Sequence, residues 1–200
     1  MDRREYSELP PELVKVKEAG FKIFEDGDYD LNIVGFRKMN DESGFNQFND
    51  TIAICYKLNS NWIVEKGAAT TDPGRYWLTK PDYKPCAIMK HDEQYRGVYK
   101  IGLHRGKYEA LTQCNKIKFW RDGNKDEHLD YSGKVYNDII GLNIHKSSSK
   151  EGGSLYVNKY SAGCQVWQDP LDHERMIQLC KKQVNNLGYH TFSYTLLKEV

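Results

Sequence analysis

The chain lacks the features that mark several large classes of protein. Its 29 Lys and Arg nearly balance its 28 Asp and Glu, and the net charge of +1 gives no field that would attract nucleic acid. It has no apolar run of about eighteen residues, which a membrane-spanning helix requires. The N-terminus, from Met1 to Tyr6, is charged and has no apolar segment of the kind found in signal peptides. We therefore expect no nucleic-acid partner, no membrane insertion and synthesis in the cytoplasm without a signal peptide.

The five cysteines are odd in number and irregular in spacing, so they do not indicate a disulfide framework. Cys164 lies between Gly163 and Gln165, which places it at a turn and not in an apolar run. The other four fit the common role of cysteine as a small buried residue: Cys55, Cys86, Cys114 and Cys180.

The remaining pattern predicts a mostly β chain with flanking helices, in the α+β class. Its length suits a single core, and its 14 tyrosines favour strands. No repeat, linker or low-complexity tract interrupts it. We divide it into an N-terminal helical lead-in, residues 1–30, and a single domain, residues 31–200.

Helix signals occur at two places. Residues 11–25 are amphipathic after two prolines, and Asp169-Pro170 begins a helix whose apolar spacing continues to Leu187, before Gly188. Strands are predicted at residues 31–36, 51–58, 62–65, 86–89, 97–103, 116–120, 139–145, 155–157 and 191–197.

A histidine and a cysteine nineteen residues apart, His145 and Cys164, carry the clearest chemistry. A cysteine becomes an acyl-transfer nucleophile when a base takes its proton and backbone N–H groups stabilise the oxyanion. Gly163 allows the tight turn that such an arrangement needs, and His145 ends an apolar run. We therefore take Cys164 as a candidate nucleophile, His145 as its base, and the polar residues 146–153 as a loop over the site.

These residues resemble the catalytic motif of the L,D-transpeptidases (the YkuD-like fold), in which a histidine precedes a Ser/Thr-His-Gly-Cys sequence. Fifteen residues separate His145 from Ser161, a gap within the family's range, and Ser161, Gly163 and Cys164 match the motif. Segments elsewhere in the chain resemble members encoded by tailed bacteriophages: residues 69–74, 95–97, 100–104 and 141–165.

The chain departs from the family motif at two positions. Ala162 replaces the family's second histidine, and Val166 stands where asparagine or arginine is usual. These departures leave open an alternative of a different class, a catalytically idle virion structural or cell-wall-binding protein on the same fold. A purely structural role for Cys164 also stays open.

The resemblance implies an L,D-transpeptidase-like β-sandwich or barrel and a peptidoglycan-directed cysteine acyl-transferase or peptidase. It would act on stem-peptide L,D bonds through a Cys164 thioester, by cleavage or cross-linking, with the backbone of Gly163 and Cys164 stabilising the oxyanion. No cofactor is implied. Its partners would be peptidoglycan stem peptides and other virion proteins, and it would reach the wall in a virion or by release from the cell. The substrate-binding residues that we infer are His104, Arg105, Ser161 and Gln165.

Three further expectations concern individual groups. We expect His145 to lower the pKa of Cys164 below the free-thiol value of about 8.5. His104 could supply the imidazole that Ala162 lacks, or it could simply end a solvated hairpin. Residues 122–130 space their oxygens as a calcium loop does but lack its glycine and terminal glutamate, so we expect no metal site.

Overall fold

The computed structural model describes residues 1–39, 46–80 and 84–199, and most of them belong to strands. Three helices accompany the strands: α1 (Pro11–Glu18), α2 (Arg75–Thr79) and α3 (Pro170–Leu187). The strands are β1 (Asp2–Tyr6), β2 (Asn32–Lys38), β3 (Asp50–Leu58), β4 (Asn61–Thr70), β5 (Cys86–Met89), β6 (Glu93–His104), β7 (Tyr108–Gln113), β8 (Ile117–Asp122), β9 (Tyr136–Asp138), β10 (Ile144–Lys146), β11 (Gln165–Trp167) and β12 (Phe192–Glu199).

Nine strands form one large sheet in the order β1-β4-β11-β10-β7-β6-β12-β2-β3. Because β3 also pairs with β4, the strands from β4 round to β3 close into a barrel, and β1 joins at the side of β4. The strands β5, β8 and β9 form a second, three-stranded sheet. The predicted class, mostly β with few helices, is confirmed.

Alternating side chains on β3 divide the apolar residues into two cores. Ile52 and Ile54 face the main core, which α3 and the small sheet complete. Ala53 and Cys55 face the opposite side, where α1 covers them with apolar side chains that include Leu13. Both faces of this part of the sheet are therefore buried, which explains why residues 52–56 are all apolar.

Both predicted helices are present, and the ends of α3 lie where the sequence places them. Asp169 caps α3 by accepting a hydrogen bond from the N–H of Leu171, and Gly188 ends it with φ of 68°. The first helix ends at Glu18 and not at residue 25. Within residues 1–30, β1 pairs with β4 of the large sheet.

Several strand predictions were wrong in extent. Residues 155–157 form no strand and contribute only the isolated bridge between Tyr156 and Gln47. The predicted strand 139–145 is a strand only from Ile144. Four short or hairpin strands were missed: β1, β7, β9 and β11.

A buried arginine on β2 ties the sheet to the chain beyond β4. The Arg37 side chain is fully buried and donates to the carbonyls of Met89 (2.8 Å) and Thr71 (2.7 Å) and to the hydroxyl of Thr71 (2.9 Å). It also pairs with Asp72 at 3.2 Å. Asp50 accepts from the N–H and the hydroxyl of Thr71. The single positive charge therefore acts on two buried carboxylates, and its hydrogen bonds fix the turn after β4.

We expect Arg37→Met to lower the free energy of unfolding by about 3–5 kcal/mol, because removing one partner leaves the others buried and uncompensated. Urea denaturation measures the loss. Arg96→Met, at an exposed position, is the control and should change stability by less than about 0.5 kcal/mol. A loss below about 1 kcal/mol for Arg37→Met would contradict a stabilising role for this network.

Candidate active site

Two adjacent parallel strands bring the candidate base and nucleophile together. His145 on β10 lies opposite Val166 on β11, and the Gln165 N–H donates to the Asn143 carbonyl at 3.0 Å. This bond extends the register by one position and sets Asn143 opposite Cys164. Because side chains alternate along a strand, His145 and Cys164 lie on the same face. They are diagonal neighbours on that face, each two residues along its strand from the residue opposite the other.

The His145 ring is oriented as a base. Its Nδ1 lies 2.9 Å from the Lys146 carbonyl oxygen. A carbonyl only accepts, so Nδ1 carries the proton and Nε2 keeps its lone pair. Burial, and next the neighbouring His104, lower the pKa of His145 to about 3. The imidazole is therefore neutral at pH 7.

The Cys164 thiol is in its protonated form at rest. Its side chain is half-buried, and the S–H donates to the Gly141 carbonyl at 3.4 Å. Burial raises the pKa of Cys164, while the Asn143 N–H and the Arg105 charge partly oppose the rise. We expected a lowered pKa. The difference arises because burial disfavours the thiolate and because the neutral His145 offers no imidazolium to stabilise it.

The turn before Cys164 has the predicted glycine for a steric reason. Gly163 has φ of +138°, and a Cβ there would lie 2.2 Å from the Ala87 carbonyl oxygen. Its N–H donates to the Ser161 hydroxyl at 3.1 Å, and that hydroxyl donates to the Cys164 carbonyl at 2.8 Å. The Gly163 N–H is therefore occupied. The Cys164 N–H makes no hydrogen bond with the described residues, so of these two N–H groups it is the candidate oxyanion donor.

Ser161 and Gln165, which we inferred to bind substrate, are both fully buried. The Gln165 amide accepts from the Tyr194 hydroxyl at 2.9 Å and donates to the carbonyls of Thr71 and Gly163, each at 3.4 Å. These two side chains hold the nucleophile turn from inside and offer no surface to a substrate.

His104 lies beside the candidate base. Its ring stacks on that of His145 with centroids 4.1 Å apart, and its Nδ1 accepts from the Asn143 amide at 3.2 Å. Arg105 follows in the hairpin turn with φ of 51°. No ion pair joins Arg105 to a residue of the described ranges, and its charge acts on His104, His145 and Cys164.

A third imidazole, His173, escaped the sequence analysis because its spacing suggests no ligand set. It lies in the first turn of α3, its ring meets that of Tyr108 edge to face at 5.8 Å, and it is 2% exposed. Neither ring nitrogen has a hydrogen-bond partner among the described residues. Burial, and next the Lys146 charge, lower the pKa of His173 to about 4. Position at the start of a helix next to the site was the signal that could have found it.

The described residues contain neither a metal-binding cluster nor a helix suited to a membrane. Among the described residues, no three or more His, Cys, Asp or Glu are placed to hold a metal ion. In the loop after β8, the Asn124 amide instead donates to the carboxylates of Asp126 and Asp130. No described helix is both long enough and apolar enough to cross a membrane.

No family model, curated protein or solved structure matches the chain. The geometry of the site is therefore the basis on which a function can be inferred.

The raised pKa of Cys164 predicts that its alkylation by iodoacetamide keeps accelerating above pH 8. Arg105→Gln should move the profile to higher pH, because the Arg105 charge favours the thiolate. Lys107→Gln, on the same hairpin turn, is the matched control and should leave the profile unchanged. Site-resolved mass spectrometry follows the rates. A plateau below pH 8 would show that the thiol is activated at rest.

The buried, neutral His173 predicts an effect on acid stability. Its pKa of about 4 in the folded state lies below the unfolded value of about 6.5, so the unfolded state takes up the proton first. The contribution of the neutral His173 to the free energy of unfolding is therefore fully present above about pH 6.5 and is lost as the pH falls toward 4. Since burial raises the pKa of Asp50 to about 6, which has the opposite effect, the test compares each variant with the wild type.

As the pH falls from 7 to 4.5, the free energy of unfolding of His173→Phe should rise by about 2 kcal/mol relative to that of the wild type. Phenylalanine cannot be protonated, and it keeps the contact with Tyr108. Urea midpoints across this range measure the gain. The exposed His190→Gln serves as control and should follow the wild type. A pH-independent difference for His173→Phe would show that His173 does not stay neutral.

Proposed function

We propose that the chain is a cysteine acyl-transferase or peptidase that acts on the L,D bonds of peptidoglycan stem peptides through a thioester on Cys164. One observation carries the proposal. The neutral His145, with Nδ1 held by the Lys146 carbonyl, keeps Nε2 as a base on the face that Cys164 shares. The L,D-peptide specificity comes from the resemblance of the motif, including its phage-encoded members.

The reaction follows from these groups. His145 Nε2 takes the S–H proton as the sulfur attacks the peptide carbonyl carbon, and the Cys164 N–H stabilises the oxyanion. The imidazolium then protonates the leaving amine as the C–N bond breaks, which leaves the thioester. Water or an amine attacks the thioester, His145 removes its proton, and the thiol is restored. Cleavage suits a phage-encoded protein, which has to open the cell wall.

The site would work from a neutral pair and not from a preformed ion pair. Both the lowered pKa of His145 and the raised pKa of Cys164 favour thiol with imidazole. Proton transfer therefore accompanies attack on the carbonyl, and His145 acts as a general base. Burial, and next the Arg105 charge, also lower the pKa of the stacked His104, which favours its neutral form beside His145.

The surroundings suit a peptide that carries carboxylates. Arg105, which no described carboxylate pairs with, presents a planar guanidinium next to the site. The segment between base and nucleophile exposes large apolar side chains, with Leu155 at 77% and Tyr156 at 53%. We propose that Arg105 binds a stem-peptide carboxylate and that this segment covers the peptide backbone.

The second candidate is a catalytically idle virion structural or cell-wall-binding protein. The raised pKa of Cys164 favours it, as does the engagement of the S–H with Gly141 and of the Gly163 N–H with Ser161. Ala162 and Val166 are consistent with such a loss of activity.

Muropeptide mass spectrometry after incubation with purified sacculi distinguishes the two. We expect the wild type to change the stem-peptide products and Cys164→Ala to lower the rate by about 10³-fold or more, because no other group can form the thioester. Its melting temperature should stay close to that of the wild type. Cys114→Ala, which removes another half-buried thiol, is the control and should stay active.

Equal activity of Cys164→Ala and the wild type would refute the thioester mechanism. Binding to sacculi by a wild type that generates no new products would favour the idle protein.

A further inference from the structure

A glutamine at the end of β7 organises the chain beside Cys164. The Gln113 side-chain oxygen accepts three consecutive backbone N–H groups, while its amide nitrogen donates to the carbonyls of Asn115 (2.9 Å) and Asp138 (2.8 Å). The side chain is largely buried. The three N–H donors are those of Ile140 (3.1 Å), Gly141 (2.9 Å) and Leu142 (2.9 Å).

This convergence curves residues 140–142 around the amide oxygen. Gly141 takes φ of +83° in the curve, and its carbonyl then faces the sulfur of Cys164 at 3.4 Å. The backbone N–H of Gln113 donates to the Asn143 side chain at 2.9 Å, and Asn143 donates in turn to His104, which stacks on His145. One residue therefore connects to the surroundings of both the thiol and the base.

We propose that Gln113 is a positioning residue: by folding residues 140–142 around its amide, it presents the Gly141 carbonyl to Cys164 and holds the thiol protonated until substrate turns the S–H toward His145. The role of His145 as a base rests on the proposed function. The hydrogen bond from the Cys164 S–H to the Gly141 carbonyl does not depend on that function.

The physical basis is the preference of a carbonyl for the neutral thiol. A hydrogen bond donated by S–H stabilises the protonated form, and a carbonyl oxygen facing a thiolate repels it. The Gly141 carbonyl thus competes with His145 Nε2 for the same proton. Its position depends on three N–H groups that all donate to the Gln113 side chain. The other titratable or charged side chains that act on Cys164 or on its base lie on β6, β7, β10, α3 and the hairpin turn: Tyr99, His104, Arg105, Tyr108, His145 and His173.

The test compares Gln113→Met with Gln183→Met, a matched control whose hydrogen bonds join other segments and do not involve the thiol. Gln183 is also buried and also joins segments through its amide, accepting from the Leu31 N–H and donating to the carbonyls of Tyr189 and Thr191. Both variants lose side-chain to backbone hydrogen bonds and should lose similar stability. Only Gln113→Met should release the Gly141 carbonyl from Cys164.

We expect Gln113→Met to raise the alkylation rate of Cys164 at pH 7 about three- to ten-fold, with its pH profile moved to lower pH, and Gln183→Met to leave both unchanged. The rates at the buried Cys55 and Cys180 in the same molecules should stay constant, which separates the effect from general loosening of the fold. In contrast, the turnover of stem peptides by Gln113→Met should fall, with kcat lowered by about ten-fold and KM little changed, because the thiol is no longer oriented.

A Cys164 rate that does not rise in Gln113→Met, or that rises equally in Gln183→Met, would overturn the proposal. If Gln113→Met does not fold, Gly141→Val moves the same carbonyl: a β-branched residue avoids φ of +83°, and no atom lies within 4 Å of the new Cβ to clash. The same rise in the Cys164 rate is expected there, and its absence would equally overturn the proposal. Alkylation needs no peptide, so a failure to process sacculi would refute the proposed function alone.

Discussion

The parallel pairing of β10 with β11 is the contact on which the candidate site depends. Parallel neighbours cannot be joined by a tight turn, so the chain between them has to cross over and return. Residues 147–164 make this crossing, and its length brings Cys164 back beside the strand that carries His145. The interval between the two residues in the sequence therefore has a structural cause, and the same crossing places the exposed Leu155 and Tyr156 between them.

Burial decides the electrostatics of the site. It raises the pKa of Cys164 and lowers those of His104, His145 and His173, so the groups rest in their neutral forms. A neutral site has little of the attraction that would hold a thiolate, and any reaction there has to generate its charges as bonds change. Arg105 is a permanent charge that acts on the sulfur. An anionic substrate is therefore the partner that we propose for this site.

Support for the nucleophile turn comes from distant parts of the fold. Gln165 connects it to Tyr194 on β12 and to the Thr71 carbonyl, which Arg37 on β2 also binds. A buried glutamine, which shares the Thr71 carbonyl with a buried arginine, therefore fixes the turn whose glycine lies against Ala87. None of these connections follows from spacing along the chain, since each joins residues that are far apart in sequence.

The sequence by itself determined what local chemistry controls. Asp169, Pro170 and Gly188 set the ends of α3, the glycine at 163 marked a tight turn, and the composition indicated a mostly β chain. Caps and turns depend on neighbours within a few residues, so their signals can be found without a fold.

Only the tertiary structure decided the closure of the barrel, the short strand β11, the neutral state of His145 and the roles of Gln113 and His173. Strand pairing, burial and the convergence of three N–H groups on one amide arise between distant segments. A strand of three residues also has too little periodicity to be distinguished from a loop. The sequence could therefore name Cys164 and His145 as candidates, while the fold alone showed that the thiol rests against Gly141 and not as an activated thiolate.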